Sequence, residues 1–134
     1  MNRALLAEIR HLARGRCDYC RIPDAFDPLP FQADHIVARQ HGGETILENL
    51  AWSCLHCNKH KGPNIASIDP RTGALVSLFH PRRQNWERHF AWNRTILVGR
   101  TRTGRATVRV LAINDPDFVA FRAELIEEGA FWAW

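Results

Sequence analysis

Cys17-Asp18-Tyr19-Cys20 and Cys54-Leu55-His56-Cys57-Asn58-Lys59-His60-Lys61-Gly62 bracket the stretch that decides the fold. Between them lie Phe31-Gln32-Ala33-Asp34-His35-Ile36, His41-Gly42-Gly43 and Glu48-Asn49-Leu50. Each Cys-x-x-Cys pair presents two sulfurs from one tight turn, so Cys17, Cys20, Cys54 and Cys57 read as a tetrahedral structural zinc site. The 33 residues between Cys20 and Cys54 are more than a zinc ribbon uses, so a substructure must fold inside that loop. Two disulfides or a redox pair are the competing readings of four cysteines. No export signal supports the first, and no βαβ pattern surrounds either pair to support the second.

Inside the loop, Phe31 to Ala38 reads as a strand, with Ile36 and Val37 supplying β-branched side chains. Residues 40–44 make a turn, Leu50 to Ser53 a second strand, and the chain from Leu55 a short helix that Gly62-Pro63 stops. The expected order is strand, loop, strand, helix. Upstream, residues 2–14 pattern as an amphipathic helix with Leu5, Ile9 and Leu12 on one face, Asn2 as cap and Gly15 after the end. Residues 21–30 hold three prolines and read as an irregular loop. Downstream, Ala74 to Phe79 and Thr95 to Val98 are strand candidates and Gln84 to Phe90 a short helix. Thr101 to Ile113 is expected to be a helix capped by Thr103, despite the strand-like alternation of Ala106, Val108 and Val110. A last helix starts at Asp115-Pro116, lines one face with Phe118, Phe121 and Leu125, and ends at Gly129.

The chain has 134 residues, 46% hydrophobic and 24% charged, which suits one α+β domain stapled by zinc. The expected division is a helix at 2–14, a core at 17–62, and strands and helices at 63–134. No apolar run approaches the ~20 residues of a membrane span, and Arg3, Glu8, Arg10 and His11 interrupt any signal-like segment, so a cytoplasmic protein is expected. A net charge of +4 favours an anionic partner.

The chemistry sits at Asp34-His35. On an extended strand, successive side chains point to opposite faces, so the two can do different work a few ångströms apart. Asp34 offers a hard oxygen ligand to Mg²⁺, and His35 can take a proton from water near neutral pH. Asn58, directly after the last cysteine, can supply a second oxygen, and Asn49 can hydrogen-bond across the loop to hold His35 in register. Four cysteines already complete a tetrahedral set, so replacing Asp34 or His35 is expected to spare zinc and the fold.

In order, spacing and residue type, residues 17–62 resemble the HNH endonucleases that carry a four-cysteine zinc site and a ββα-metal core. The resemblance implies that Asp34 and Asn58 are ligands of a catalytic Mg²⁺ or another divalent metal. It makes His35 the general base and Asn49 the middle Asn of the family name. Asn58 stands where the name has its last His, and Ala38 where a proline often follows Asp-His-Ile. The implied partner is DNA, cut to 5′-phosphate and 3′-hydroxyl ends, with low sequence selectivity because no specificity domain is evident. The C-terminal half, with His80-Pro81-Arg82-Arg83, is similar to the tail of a group of stand-alone bacterial members.

Around this frame, His60, Lys61, Arg82 and Arg83 are candidates for phosphate or metal contact, Lys61 as a solvated charge. Arg100, Arg102, Arg105 and Arg109 form a basic run. Trp52 is expected in the core. Two other readings stand beside the enzyme: a non-catalytic zinc module that binds nucleic acid, and a protein-interaction module using Trp132 and Trp134. Neither explains the Asp-His pair. Oligomeric state is not legible from the sequence.

Overall fold

The computed structural model describes residues 1–131; Trp132 and Trp134 lie outside them. Helix α1 runs Arg3–Leu12. The Asn2 side chain caps it, accepting from the Leu5 amide at 2.8 Å. Arg14 and Gly15, with φ of 57° and 70°, turn the chain out of it. Ile9 is buried, but Leu12 is 49% exposed, so the apolar face is narrower than its spacing implied.

Strands β1 (Gln32–His35) and β2 (Leu50–Ser53) pair antiparallel, Asp34 opposite Ala51 and His35 opposite Leu50. Helix α2 (Leu55–Lys61) follows directly, and Gly62 at φ 51° stops it. The ββα order therefore stands as expected. The first strand is shorter than Phe31–Ala38, because after His35 the chain turns into a 3-10 turn at Arg39–His41.

Two further hairpins complete an α+β fold. Strands β3 (Ala66–Ile68) and β4 (Leu75–Ser77) pair across the turn at 69–73. There the Asp69 carboxylate accepts from the Arg71 amide, the Thr72 hydroxyl and the Arg105 guanidinium. Arg105 beside it holds the Asp69 carboxyl well below the usual range. This buried aspartate engages one member of the basic run. Short helix α3 (Trp86–His89) leads into β5 (Phe90–Asn93), which pairs with β6 (Ile96–Gly99).

Helix α4 spans Arg102–Val110, as expected, but its cap is Thr101, not Thr103. The Thr103 hydroxyl donates instead to the Ser77 carbonyl at 3.0 Å. A Cβ on Gly104 would sit 2.1 Å from the His89 carbonyl oxygen, so this helix packs its backbone against α3. That close approach overrides the strand-like alternation of its valines. Helix α5 (Pro116–Glu127) has Phe118 and Leu125 buried. Asp115 precedes it without a side-chain capping bond, so the cap expected there is absent.

One apolar cluster joins the halves, running from the four cysteines through Ile36, Phe79, Trp86, Phe90, Leu97 and Ile113 to Phe118, Leu125 and Phe131. Arg122 is fully buried within it and donates to the carbonyls of Thr95 and Ile113 and to Asn114 Oδ1. A buried guanidinium is tolerated when its donors are met, and here carbonyl oxygens meet them.

Candidate active site

The four cysteine sulfurs are buried and lie within 4.8 Å of one another. Cys20 Sγ and Cys54 Sγ are 3.8 Å apart. A tetrahedron of thiolates at ~2.3 Å from zinc has sulfur–sulfur edges of about 3.8 Å, so the set fits that ion. Among the described residues it is the one group of three or more Cys, His, Asp or Glu side chains placed to hold a metal together.

The first knuckle also fixes the strand. Between its cysteines, the Tyr19 hydroxyl donates to Asp34 Oδ2 at 2.8 Å, and the Trp86 indole donates to the Tyr19 carbonyl at 2.9 Å. Asp18 bridges to β2, its amide donating to the Trp52 carbonyl and its carboxylate accepting from the Trp52 amide. Trp52 itself is half-buried rather than in the core, its ring nitrogen donating to Asp24.

Strand alternation puts Gln32 and Asp34 on one face of β1, and α2 lies along that face. Asn58 Nδ2 donates to Gln32 Oε1 at 2.6 Å, which leaves Asn58 Oδ1 uncommitted. One helical turn on, Lys61 Nζ sits 3.3 Å from Asp34 Oδ1 and 3.2 Å from Oδ2, and 3.2 Å from the His35 carbonyl. Lys61 is 1% exposed, so the solvated lysine expected from the sequence is a buried counter-ion. Burial pushes the Asp34 carboxyl up, and the Lys61 charge and the Tyr19 hydroxyl pull it back.

His35 faces the other way. Its Nε2 lies 2.9 Å from Thr45 Oγ1, in the loop that joins the strands. Asn49 closes this loop as expected: Oδ1 accepts from the Val37 amide, and Nδ2 donates to the Val37 and Glu44 carbonyls. A Cβ at Gly43 would fall 1.7 Å from the Val37 carbonyl oxygen and 2.9 Å from Asn49 Nδ2. Gly43→Ala is therefore expected to push the loop off Asn49 and cost about 1–3 kcal/mol, as overpacking does. Urea unfolding of the purified variant measures this, and an unchanged midpoint would contradict it.

Three other candidates lie elsewhere or are already engaged. His60 Nδ1 bonds the His56 carbonyl at 2.8 Å, and its ring lies 4.2 Å from that of His56, which stacks on Phe118. Helical periodicity puts both histidines on the side of α2 away from Asn58 and Lys61. Arg82 donates to both oxygens of Asp18, at 3.4 and 2.9 Å, so that pair does not stand free for phosphate as expected. Arg83 is exposed and lines a 340 Å³ cavity together with Lys61, Ile36 and Val37. Tyr19, Thr45, Gln32 and the buried role of Lys61 escaped the sequence reading. Two periodicities could have found Gln32 and Lys61, since they sit two residues from Asp34 on a strand and three from Asn58 on a helix.

No helix among the described residues is long and apolar enough to cross a membrane. No curated protein and no solved structure matches the chain. A family comparison does match, over the frame that carries both cysteine pairs and the Asp34–His35 strand: residues 17–64 fit the family described as HNH endonuclease.

Proposed function

We propose that the protein hydrolyses phosphodiester bonds of DNA, with His35 as general base and Asp34 and Asn58 as oxygen ligands of a divalent metal such as Mg²⁺. The observation that carries this reading is the division of labour at β1. Asp34 and His35 are neighbours on opposite faces, and Tyr19, Lys61, Thr45 and Asn49 fix the strand and loop around them. Pure binding needs no such arrangement. The donors toward the metal are a carboxylate and an amide oxygen, the hard set that Mg²⁺ prefers.

In the tautomer that carries its proton on Nε2, His35 donates to Thr45 Oγ1 and keeps the Nδ1 lone pair for water. Water gives its proton to Nδ1 as its oxygen bonds to phosphorus, the P–O3′ bond breaks in line with that attack, and the departing O3′ takes a proton from solvent to become the 3′-hydroxyl. A bound Mg²⁺ supplies Lewis-acid stabilisation of the phosphate and the departing oxygen. Lys61 holds the Asp34 carboxylate and the His35 carbonyl in one place, so the two halves of the dipeptide keep a fixed relation. Cys17, Cys20, Cys54 and Cys57 hold zinc in a structural role.

One observation favours a second reading, a zinc module that binds nucleic acid without cutting it. Asp34 is only 5% exposed, covered by Tyr19 and Lys61. Supercoiled plasmid separates the two. Incubation with Mg²⁺ is expected to yield nicked or linear DNA, and chelation of Mg²⁺ to abolish it. Intact plasmid bound by folded, zinc-loaded protein would establish the binding module instead.

A further inference from the structure

A 680 Å³ cavity lies behind the first cysteine knuckle, and its charged lining is Arg14, Arg16, Arg21, Arg82, Asp18 and Glu87. Asp18 is neutralised by Arg82 at 2.9 Å. Among the described residues, Arg14, Arg16 and Arg21 form no ion pair and no side-chain hydrogen bond, whereas Arg10, Arg82 and Arg105 each hold an aspartate. The Arg21 guanidinium lies 4.8 Å from the centre of the Trp86 ring, which fixes its plane and leaves its N–H edge free. Arg82 Nε is buried with no partner. The terminal nitrogens of Arg82 hold Asp18, so the free donors of the cavity belong to Arg14, Arg16 and Arg21.

The backbone supports the same reading. Arg14 and Arg21 adopt φ of 57° and 71°. The left-handed region costs a residue with a Cβ about 1–2 kcal/mol, and glycine occupies it freely. Two arginines stand where glycine is the low-energy choice, and both line the cavity. Arg94 and Ala112 share this backbone region elsewhere in the fold, so what sets Arg14 and Arg21 apart is their place in the cavity wall.

We propose that this cavity is an anion subsite that grips backbone phosphates of the DNA flanking the cut. The inference rests on the nuclease reading above and deepens it. A path joins the two places: Phe79 and Gln84 line both this cavity and the smaller one that contains Lys61 and Arg83. The 79–84 segment thus lies between the arginines and the cavity that contains Lys61, the ion-pair partner of Asp34. Guanidinium edges suit phosphate oxygens, and a guanidinium held against an aromatic ring, as Arg21 is against Trp86, loses less freedom on binding.

The test uses the full-length, zinc-loaded chain with both arginines replaced by glycine, Arg14→Gly/Arg21→Gly. Glycine suits both backbone positions, so the melting temperature should hold. Affinity for a fluorescent random-sequence duplex, measured without Mg²⁺, should fall by about tenfold or more, and the slope of log K against log salt should flatten by about 2. In single-turnover cleavage with Mg²⁺, the concentration for half-maximal rate should rise while the maximal rate stays unchanged. Arg21→Lys keeps the charge but not the planar fork held against Trp86, so it should lose less affinity than the double variant and keep the wild-type salt slope. A folded double glycine variant with wild-type affinity and salt slope would overturn the subsite. So would a loss that Arg21→Lys shows to the same extent. Wild-type protein that cuts plasmid while the variant is unaffected would sink this inference alone. Wild-type protein that neither binds nor cuts DNA would sink the nuclease reading, and the subsite with it.

Discussion

His35→Ala is expected to fold normally and to cleave DNA about 10²–10⁴-fold more slowly, the usual range for losing a positioned general base. The fold should survive because the side chain bonds Thr45 in the loop, while its carbonyl keeps the contact with Lys61. Asp34 behaves differently. Its alanine variant was expected from sequence to spare the fold, but it would leave the Lys61 ammonium, 1% exposed, without its carboxylate. Removing one member of a buried ion pair costs about 3–5 kcal/mol, a large share of a small domain's stability. Asp34→Ala would therefore confuse lost chemistry with lost structure. Asp34→Asn is the milder probe: its one amide oxygen still accepts a hydrogen bond, although the buried Lys61 charge is left uncompensated there too. His35→Ala should melt like wild type, Asp34→Asn clearly lower but above Asp34→Ala, and both His35→Ala and Asp34→Asn should fail to linearise plasmid. A folded His35→Ala variant that cuts at the wild-type rate would remove His35 from the mechanism. His60 would not replace it, since it lies on the other side of α2.

What the sequence showed and what it hid follow from the range of the interactions involved. Two Cys-x-x-Cys pairs encode their geometry within four residues each, so the metal frame was legible. The same holds for the Asn2 cap and the Gly62 stop. Asn49 was legible because its partners, Val37 and Glu44, sit in the loop it closes. Lys61 and Arg82 were misread for the opposite reason. A lysine or arginine looks solvated until a distant aspartate is brought to it, and Asp34 and Asp18 are brought by the packing of helix on strand and of the 79–84 segment on the knuckle. Strand β5 was missed because Phe90 continues the apolar pattern of α3, and only pairing with β6 settles Phe90–Asn93 as extended. Arg122 is the extreme case: its partners are carbonyls of Thr95 and Ile113, a kind of acceptor every residue carries, so no residue type signals the site.

Zinc removal should unfold the protein. The four cysteines belong to the one apolar cluster that joins the halves, and all four are fully buried. Without the ion, the knuckles that place Tyr19 under Asp34 and Asp18 beside β2 lose what joins them. Structural zinc sites release about 10–16 kcal/mol on binding, comparable to the whole stability of a typical domain, so site energy here is folding energy. Cys54→Ser is the severe single change. It removes a thiolate and also the Sγ that accepts from the Cys57 amide at 3.4 Å to cap α2. Chelator-treated protein should lose its cooperative melt and its near-ultraviolet signal from Tyr19 and Trp86, and regain both when zinc is restored. Elemental analysis of the untreated chain should find close to one zinc per chain. Cys54→Ser should behave like the chelated protein even with zinc in excess, because three thiolates with a hydroxyl in the fourth position hold the ion far less tightly. Zinc-free protein that melts like the native chain would overturn the structural role of the site, and a cysteine set that stays reduced and empty in an active enzyme would have to be explained by packing alone.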